Sequence, residues 1–536
     1  MTHFNRRLFI LVLISSLFLS MTACVQQSKK KSTIKTDSIP PTDLSIRGFF
    51  SSQEDLYTDS MYLKTFFLRY PLLKEFASDV NQFYQYRRFL YAWYDQNGLV
   101  EQANNLVNHL NNLESEGIQI KVPYMDSLES LLNDPLQINS PDLNLELLLT
   151  SEYFFYADKV WNGISEQKTT QLEWFLPRKK LNLPYMMDSL LKDSSASLFN
   201  SKYSVSQYNL LKTTLRKYRQ LDSIADWRTL GSGSGVFKKK DTAEIIRDIR
   251  HRLYLMGDLA KDSQSNLFDE SLVDAVNSFQ ERNGMNPDAV MGARFFREIN
   301  TPVQDIIRKL IVNMERTRWL PIHTDKHFLV VNIPFFTLTA YDMDTVSFKM
   351  NVVVGKNLHK TVLFNGNIQY IVFSPYWNVP PSILKKEILP AIQKNPGYLK
   401  KNNMEWNGNT VRQKPGPSNS LGLVKFIFPN SHNIYLHDSP AKSLFNEPVR
   451  AFSHGCIRLA EPKKLAVYLL KDDPQWNESK INEAMHAGKE KYVILKNPMP
   501  VFIGYMTAWM DKQGKLNLRK DIYNRDQPLA NLLLQK

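Results

Sequence analysis

Cysteine is the residue type that this sequence most nearly lacks, since only Cys24 and Cys456 occur among its 536 residues. Cys24 stands at the end of an apolar N-terminal stretch, so the body of the chain contains one thiol. A single thiol cannot form an internal disulfide, which excludes the small folds that disulfides stabilise. In an exported chain without disulfides, such a thiol points to a chemical role.

The N-terminal apolar run is too short for a permanent membrane anchor. Leu8–Leu19 has 12 residues, two of them serines, whereas a membrane-spanning helix needs about 20 apolar residues. The run follows Arg6 and Arg7. A basic segment followed by an apolar one is typical of an export signal, which we place at residues 1–24.

The end of this signal indicates how it is processed. Met21-Thr22-Ala23-Cys24 resembles a lipoprotein cleavage site, at which Cys24 would become a lipidated N-terminus. Ordinary signal cleavage near Ala23 is the alternative. With lipidation, the polar and basic residues 25–47 would form a tether between the membrane and the folded domains.

Signatures of nucleic-acid binding are absent, although the net charge is +14. The sequence has no zinc-finger spacing, helix-turn-helix cue or aromatic RNA-binding motif. The basic excess is either a solvated surface or an attraction to an anionic polymer such as cell-wall material. We therefore expect no nucleic-acid partner.

The length of the chain predicts several domains, because one hydrophobic core rarely serves 536 residues. Residues 48–230 carry apolar side chains at helical spacing, which predicts a helical domain without evident chemistry. The spacing predicts helices at Met61–Phe76, Phe83–Tyr94, Leu99–Leu113 and Leu143–Val160.

A glycine–serine joint, Gly231–Gly235, precedes a small unit of three predicted helices at residues 236–300. The string from Ala275 to Asp288 resembles the three-helix peptidoglycan-binding module, and a plain helical spacer is the alternative. Residues 301–327 read as a linking amphipathic helix.

The hydrophobic period changes from helical to alternating at residue 328, which predicts a mostly-β domain over residues 328–499. Residues 500–536 form its closing segment. An insertion at about residues 381–413 is either a lid that exposes Tyr398 and Trp406 or a passive surface loop.

The chemistry concentrates around Cys456, which follows Ser453-His454-Gly455 and lies nineteen positions after His437 on a predicted strand. A thiolate is a nucleophile, and a nearby imidazole can take the thiol proton and hold the ion pair. Gly455 allows a turn in which main-chain N–H groups converge on an oxyanion.

Two other interpretations of these residues compete with catalysis. His437, His454 and Cys456 are residue types that bind zinc, but their spacing is unfamiliar and a fourth ligand is missing. A buried structural thiol is the default for a lone cysteine. Because a glycine-flanked cysteine after Ser-His lies in a turn, the residues favour nucleophilic catalysis.

His437, the Ser453–Cys456 string and Arg458 resemble the signature of the L,D-transpeptidases, cysteine acyltransferases that cross-link peptidoglycan. Strings similar to their large multi-domain branch are Asn332-Ile333-Pro334, Tyr376-Trp377-Asn378-Val379-Pro380-Pro381 and Pro415-Gly416-Pro417. The resemblance is strongest from Phe328 to Asp526. It implies a multi-domain α+β fold with a helical scaffold, a peptidoglycan-binding module and a mostly-β, YkuD-type catalytic domain with a lid.

The resemblance also implies roles for the site residues. Cys456 would be acylated, with His437 as general base and later acid. The main chain of His454, Gly455 and Cys456, with the Tyr435 hydroxyl, would form the oxyanion hole.

Other residues would support the turn or the substrate. Ser453 would hold the turn, and Arg458 would either bind a substrate carboxylate or brace the loop. Either the Asp438 carboxylate or a main-chain carbonyl would orient His437. Four aromatic residues near the groove or on the lid are candidates for substrate contact: Tyr376, Trp377, Tyr398 and Trp406.

The implied reaction is acyl transfer between two peptidoglycan stems, without a metal or organic cofactor. A tetrapeptide stem would acylate Cys456 and lose its terminal D-alanine, and a side-chain amine of a second stem would then take the acyl group. Carbapenems would inactivate the thiol. The protein would lie in the cell envelope, facing the periplasm and anchored through Cys24.

Three rivals to this reaction remain at the sequence level. Water in place of the amine would make an L,D-carboxypeptidase. A non-enzymatic wall-binding lipoprotein would use only the unit at residues 236–300. A papain-like peptidase is disfavoured, because there the cysteine precedes the histidine in the chain.

Overall fold

The chain is described by a computed structural model. The described residues are 56–95, 98–179, 181–192, 202–224, 227–231, 235–320, 326–343 and 345–534. The predicted export signal, the tether and Cys24 lie outside them. The protein is a multi-domain α+β chain with its helices first and its sheet last, as predicted. No helix in these ranges is both long and apolar enough to cross a membrane.

The N-terminal region is helical. Its helices are α1 (Ser60–Arg69), α2 (Ala77–Tyr86), α3 (Glu101–Asn111), α4 (Met125–Leu132), α5 (Pro135–Asn139), α6 (Leu143–Ala157), α7 (Glu166–Gln171), α8 (Leu183–Lys192) and α9 (Lys202–Ile224), with a short hairpin of β1 (Tyr94–Asp95) and β2 (Gly98–Leu99). The Asp142 carboxylate caps α6 by accepting the Leu145 N–H at 2.7 Å. Every residue from Leu145 to Ala157 is buried, so α6 is the central helix of this region.

The predicted helix Phe83–Tyr94 is shorter than expected. It ends with α2 at Tyr86, and the chain turns through Arg88 and Phe89 with positive φ angles. The Glu146 carboxylate of α6 accepts the Ala92 and Trp93 N–H groups at 2.6 and 3.0 Å. This long-range contact, which periodicity cannot reveal, replaces the next helical turn.

Three helices form the small unit that follows, as predicted. They are α10 (Glu244–Met256), α11 (Glu270–Arg282) and α12 (Ala293–Ile299), and they enclose their own hydrophobic core. α13 (Val303–Trp319) then pairs with α9 and packs into the core of the sheet domain.

The buried Arg318 guanidinium of α13 joins the helical region to the sheet domain. It donates to the carbonyls of Glu116 (2.6 Å) and Val160 (2.9 Å) and to the Tyr208 hydroxyl (3.1 Å), and it pairs with Glu315 at 2.7 Å. A buried charge is tolerated only when its hydrogen bonds are met, as they are here.

The sheet domain begins at residue 326. Its strands are β3 (His327–Asn332), β4 (Thr337–Asp342), β5 (Thr345–Gly355), β6 (Asn365–Phe373), β7 (Trp377–Asn378), β8 (Met404–Asn407), β9 (Thr410–Gln413), β10 (Val424–Ile427), β11 (Leu436–His437), β12 (Ala451–Ser453), β13 (Ile457–Leu459), β14 (Lys491–Gly504), β15 (Ala508–Met510) and β16 (Leu516–Leu518). Its helices are α14 (Pro381–Ile383), α15 (Leu389–Lys394), α16 (Tyr398–Lys401), α17 (Pro462–Leu469), α18 (Glu478–His486) and α19 (Asp526–Leu533).

Eight strands of this domain close into a barrel in the order β4-β5-β13-β11-β10-β6-β14-β3, and β12 adds to β5. Apolar side chains of alternate residues fill the interior. β7, β9 and β8 form a separate small sheet that packs with α14 to α16 around Val379, Ile388 and Val411. The insertion therefore has its own core, and we call residues 377–413 the lid.

Glu152 of α6 offers a test of this packing. It is fully buried, neither carboxylate oxygen has a partner among the described residues, and burial raises the pKa of Glu152 to about 9. The folded chain thus keeps a proton that the unfolded chain releases, so the side chain becomes more destabilising as pH rises from about 4.5 towards 9. We predict that Glu152→Gln raises the melting temperature at about pH 7 by roughly 2–6 °C.

Glu146 on the same helix is the matched control. It is equally buried, but it accepts the Tyr84 hydroxyl at 2.7 Å in addition to two main-chain N–H groups. Glu146→Gln should therefore lower the melting temperature in the same calorimetric scan. A loss of stability in both variants, or a gain at Glu152 that persists at about pH 4, would contradict the prediction.

Candidate active site

Two short strands of the barrel, β11 and β13, build the site. They run parallel, with Leu436 opposite Ile457 and His437 opposite Arg458. Leu436 and Ile457 are fully buried in the barrel core. Side chains alternate along a strand, so His437 and Arg458 share the opposite face, outside the barrel.

Tyr435 and Cys456 precede these strands by one residue and lie side by side on that same outer face. The Ile457 N–H donates to the Tyr435 carbonyl at 3.2 Å, which fixes the pairing at this point. The structure thus places Tyr435, His437, Cys456 and Arg458 on one face, and their catalytic roles stay a prediction.

The Cys456 thiol is partly exposed, and its sulfur lies 3.7 Å from the Asn433 carbonyl. Burial raises the pKa of this thiol. Hydrogen bonds from the Tyr435 main-chain N–H and hydroxyl, and the charge of Arg458, act in the opposite direction but do not cancel it. The thiol is therefore protonated at neutral pH.

The His437 ring is buried, and its Nδ1–H donates to the Asp438 carbonyl at 2.5 Å. Main-chain groups of Asp438 and Leu421 thus orient the ring, while the Asp438 carboxylate accepts the N–H groups of Leu423 and Ser439. This tautomer leaves the Nε2 lone pair as a base. Burial and the Arg458 charge lower the pKa of His437 to about 3, so the imidazole is neutral.

The expected thiolate–imidazolium ion pair is thus replaced at rest by a neutral thiol and a neutral imidazole. Within the described residues, the sulfur contacts Asn433 and Tyr435, and no hydrogen bond joins it to the His437 ring. Low dielectric on this face penalises both charges of an ion pair. Catalytic hydrogen bonds of a substrate-free site often tighten only when substrate binds.

The turn before the cysteine is held by Ser453, as predicted. Its hydroxyl donates to the Cys456 carbonyl at 2.5 Å and accepts the Gly455 N–H at 3.1 Å. Gly455 has a φ of +117°, which glycine adopts without strain. Because Gly455 N–H is already bonded, it is not free for an oxyanion, whereas Cys456 N–H has no partner among the described residues.

His454 faces the lid. Its Nε2 lies 3.0 Å from a Glu387 carboxylate oxygen, and its ring lies 5.0 Å from the His359 ring. No role was predicted for Glu387, because only the folding of the lid brings this residue next to His454.

Arg458 has no acidic partner in the described part of the chain, and its buried Nε makes no hydrogen bond there. A brace would need such bonds. The contacts therefore favour the first of the two predicted roles, a guanidinium available to a substrate carboxylate.

The four aromatic candidates differ in their exposure and in their contacts. Trp406 is 52% exposed, as predicted for a lid aromatic. Tyr398 and Trp377 are half-buried against the lid core, so Tyr398 is less exposed than the sequence predicted. Tyr376 stacks under the Arg412 guanidinium, 4.3 Å from its ring centre.

The contact between the Asn433 carbonyl and the Cys456 sulfur was not predicted from the sequence. The Asn433 φ of 54° places this residue in the left-handed region, where asparagine is favoured, and its carbonyl then turns towards the sulfur. The described residues bring no three metal-binding side chains together.

Three family models match this chain and confirm the resemblance. Residues 326–476 match the YkuD family, described as the L,D-transpeptidase catalytic domain. Residues 78–215 match a scaffold domain, and residues 242–299 match a "Putative peptidoglycan binding domain".

A curated protein of Haemophilus influenzae named "Putative L,D-transpeptidase" is 30% identical to this chain over 279 residues. The alignment covers 48% of this chain and 56% of that protein, so the chain spans little more than half the length of this relative.

Solved L,D-transpeptidases are similar in part. One from Stackebrandtia nassauensis is 14% identical, covering 50% of this chain and 97% of its own, with a TM-score of 0.21. L,D-transpeptidase 3 from Mycobacterium tuberculosis, with a faropenem-derived adduct, is 14% identical, covering 33% and 60%, with a TM-score of 0.17. TM-scores this low carry no argument about this chain.

The Arg458 charge generates a prediction about the thiol. Because it lowers the pKa of Cys456, Arg458→Gln should raise that pKa and slow alkylation of Cys456 by iodoacetamide at about pH 8 by roughly 3- to 10-fold. The rate is measured by mass spectrometry of the peptide containing Cys456, over a pH series. In the wild type, the alkylation rate should keep rising at pH values above the ordinary pKa of a thiol.

Arg458→Lys is the matched control, since it keeps the charge and loses the fork geometry. Its alkylation profile should stay near that of the wild type. Equal slowing in both variants would assign the effect to packing and exclude the electrostatic explanation.

Proposed function

We propose, from the L,D-transpeptidase catalytic domain that this chain carries, that it transfers acyl groups between peptidoglycan stems through a thioester on Cys456. One observation supports this most directly. The single thiol of the described chain is partly exposed. It lies on the face that also carries the neutral imidazole of His437, whose lone pair is on Nε2.

In the first half-reaction, the Cys456 sulfur attacks the carbonyl carbon of the third residue of a tetrapeptide stem. The thiol proton passes to Nε2 of His437 as the carbon–sulfur bond forms, so a free thiolate need not accumulate. The carbonyl oxygen becomes an oxyanion, which the Cys456 N–H receives. The carbon–nitrogen bond to D-alanine then breaks, and His437 returns its proton to the leaving amine.

In the second half-reaction, a side-chain amine of another stem attacks the thioester. His437 takes a proton from the attacking nitrogen, the carbon–sulfur bond breaks, and the sulfur recovers its proton. The product is an amide between the two third residues, a 3→3 cross-link. Water must be kept from the thioester, and the lid over the site suits this purpose.

Substrate recognition would use the groups left free around the site. The unpaired Arg458 guanidinium suits a stem carboxylate, and the exposed Trp406 ring on the lid suits the glycan or peptide backbone. The domain at residues 242–299 would hold the chain on the wall.

The surroundings of the reaction are part of the proposal. The chain would be exported and anchored by a lipid on Cys24, facing the periplasm, with no nucleic-acid partner. Carbapenems would acylate Cys456, because their strained carbonyl fits the same nucleophile. The L,D-carboxypeptidase and the wall-binding lipoprotein remain the rival functions.

The decisive experiment incubates purified protein with a disaccharide-tetrapeptide and separates the products by mass. We expect released D-alanine and a cross-linked dimer, and a carbapenem adduct on Cys456 in a parallel reaction. Cys456→Ala should give neither, and His437→Gln should slow dimer formation by roughly 100- to 10,000-fold.

Each rival gives its own result in this assay. Tripeptide without dimer would establish the carboxypeptidase. Dimer formation by Cys456→Ala, or binding to peptidoglycan without any turnover by the wild type, would reject the cysteine mechanism.

A further inference from the structure

Thr361, in the loop between β5 and β6, contacts the turn that carries the nucleophile. Its side chain is fully buried. The hydroxyl donates to the Gly455 carbonyl at 2.9 Å and accepts the Gly355 N–H at 3.0 Å. Both capacities of the hydroxyl are therefore used in bridging two main-chain segments.

Tyr523, from the closing segment of the chain, holds Thr361 from behind. Its buried hydroxyl accepts the Thr361 N–H at 3.2 Å and donates to the Gly355 carbonyl at 2.5 Å. The Tyr523 N–H in turn donates to the Tyr505 hydroxyl at 2.8 Å. Four hydrogen bonds thus link Gly355, Thr361, Tyr523 and Gly455.

The segments at this junction are too close for a side chain on Gly355. A Cβ atom there would lie 2.0 Å from the His359 carbonyl oxygen and 3.2 Å from the Gly455 Cα. The loop therefore lies directly against the catalytic turn, and a small shift of Thr361 would be transmitted to Gly455.

The Gly455 carbonyl and the Cys456 N–H belong to one peptide group. That group is planar and trans, so its carbonyl and its N–H point in opposite directions. A hydrogen bond that fixes the carbonyl also fixes the direction of the N–H. Like the His454 N–H, the Cys456 N–H has no partner among the described residues, whereas the Gly455 N–H is bonded to Ser453.

We propose that Thr361, supported by Tyr523, is a positioning residue that aims the Cys456 N–H at the developing oxyanion. The inference rests on the proposed function, because it assigns a role within acylation of Cys456. Neither residue touches the sulfur, so both would act on the Cys456 N–H that stabilises the oxyanion and not on the nucleophile. A preorganised donor costs no rearrangement at the moment of reaction.

The test compares two reactions of the same thiol in the full-length protein. Acylation by a carbapenem passes through an oxyanion, whereas alkylation by iodoacetamide does not. Thr361→Val removes the hydroxyl and keeps the shape of the side chain. It should slow acylation by roughly 10- to 100-fold, below the 100- to 1,000-fold known for loss of a whole donor. The rate of alkylation of Cys456 should stay within about twofold of the wild-type rate at each pH.

Thr361→Ser is the matched control, because it keeps the hydroxyl and should restore acylation to near the wild-type rate. Tyr523→Phe removes the support alone and should slow acylation less than Thr361→Val does. It also carries the test if Thr361→Val fails to fold, and a melting curve is recorded for each variant.

Three results would overturn the inference: unchanged acylation in Thr361→Val and Tyr523→Phe, equal slowing of acylation and alkylation, or slowing in Thr361→Ser as large as in Thr361→Val. Failure of the proposed function is distinct, since the wild type itself would then form no carbapenem adduct and no dimer.

Discussion

The site depends on the parallel pairing of β11 with β13, two strands of only two and three residues. Strands this short are held by their neighbours, β10 on one side and β5 on the other, within a closed barrel. Leu436 and Ile457 fix the register by burying their side chains in the core. A slip of one residue would turn Cys456 and His437 into the barrel and apart from any substrate.

The electrostatics of this face explain why the Cys456 thiol stays protonated in the absence of substrate. Burial disfavours both the thiolate and the imidazolium. The Arg458 charge further disfavours the imidazolium, whereas it favours the thiolate without offsetting the effect of burial. A protonated thiol is a poor nucleophile towards oxidants and stray electrophiles. In the proposed mechanism, the thiol proton would move to His437 only when a substrate carbonyl lies next to the sulfur.

Much of this arrangement was predictable from sequence, because it depends on local pattern. Alternation predicted the mostly-β domain, helical spacing predicted α10 to α13, and the motif indicated Cys456, His437 and the support by Ser453. The rest depends on contacts between distant segments. The chain after α2 is held by Glu146, Tyr398 is half-buried by the lid core, and the Gly455 carbonyl is bonded by Thr361. The shift of the Cys456 pKa likewise cannot be predicted from sequence, because it depends on burial and on the nearby Arg458 charge.

The burial of Arg318 also bears on where the catalytic unit begins. α13 contributes side chains to the barrel core, yet three of the four partners of its Arg318 guanidinium, Glu116, Val160 and Tyr208, lie far earlier in the chain. A fragment cut at residue 326 would lose part of its core, and one cut just before α13 would keep only Glu315 of the four partners of Arg318. We therefore expect the smallest fragment that folds on its own to be larger than the matched family domain.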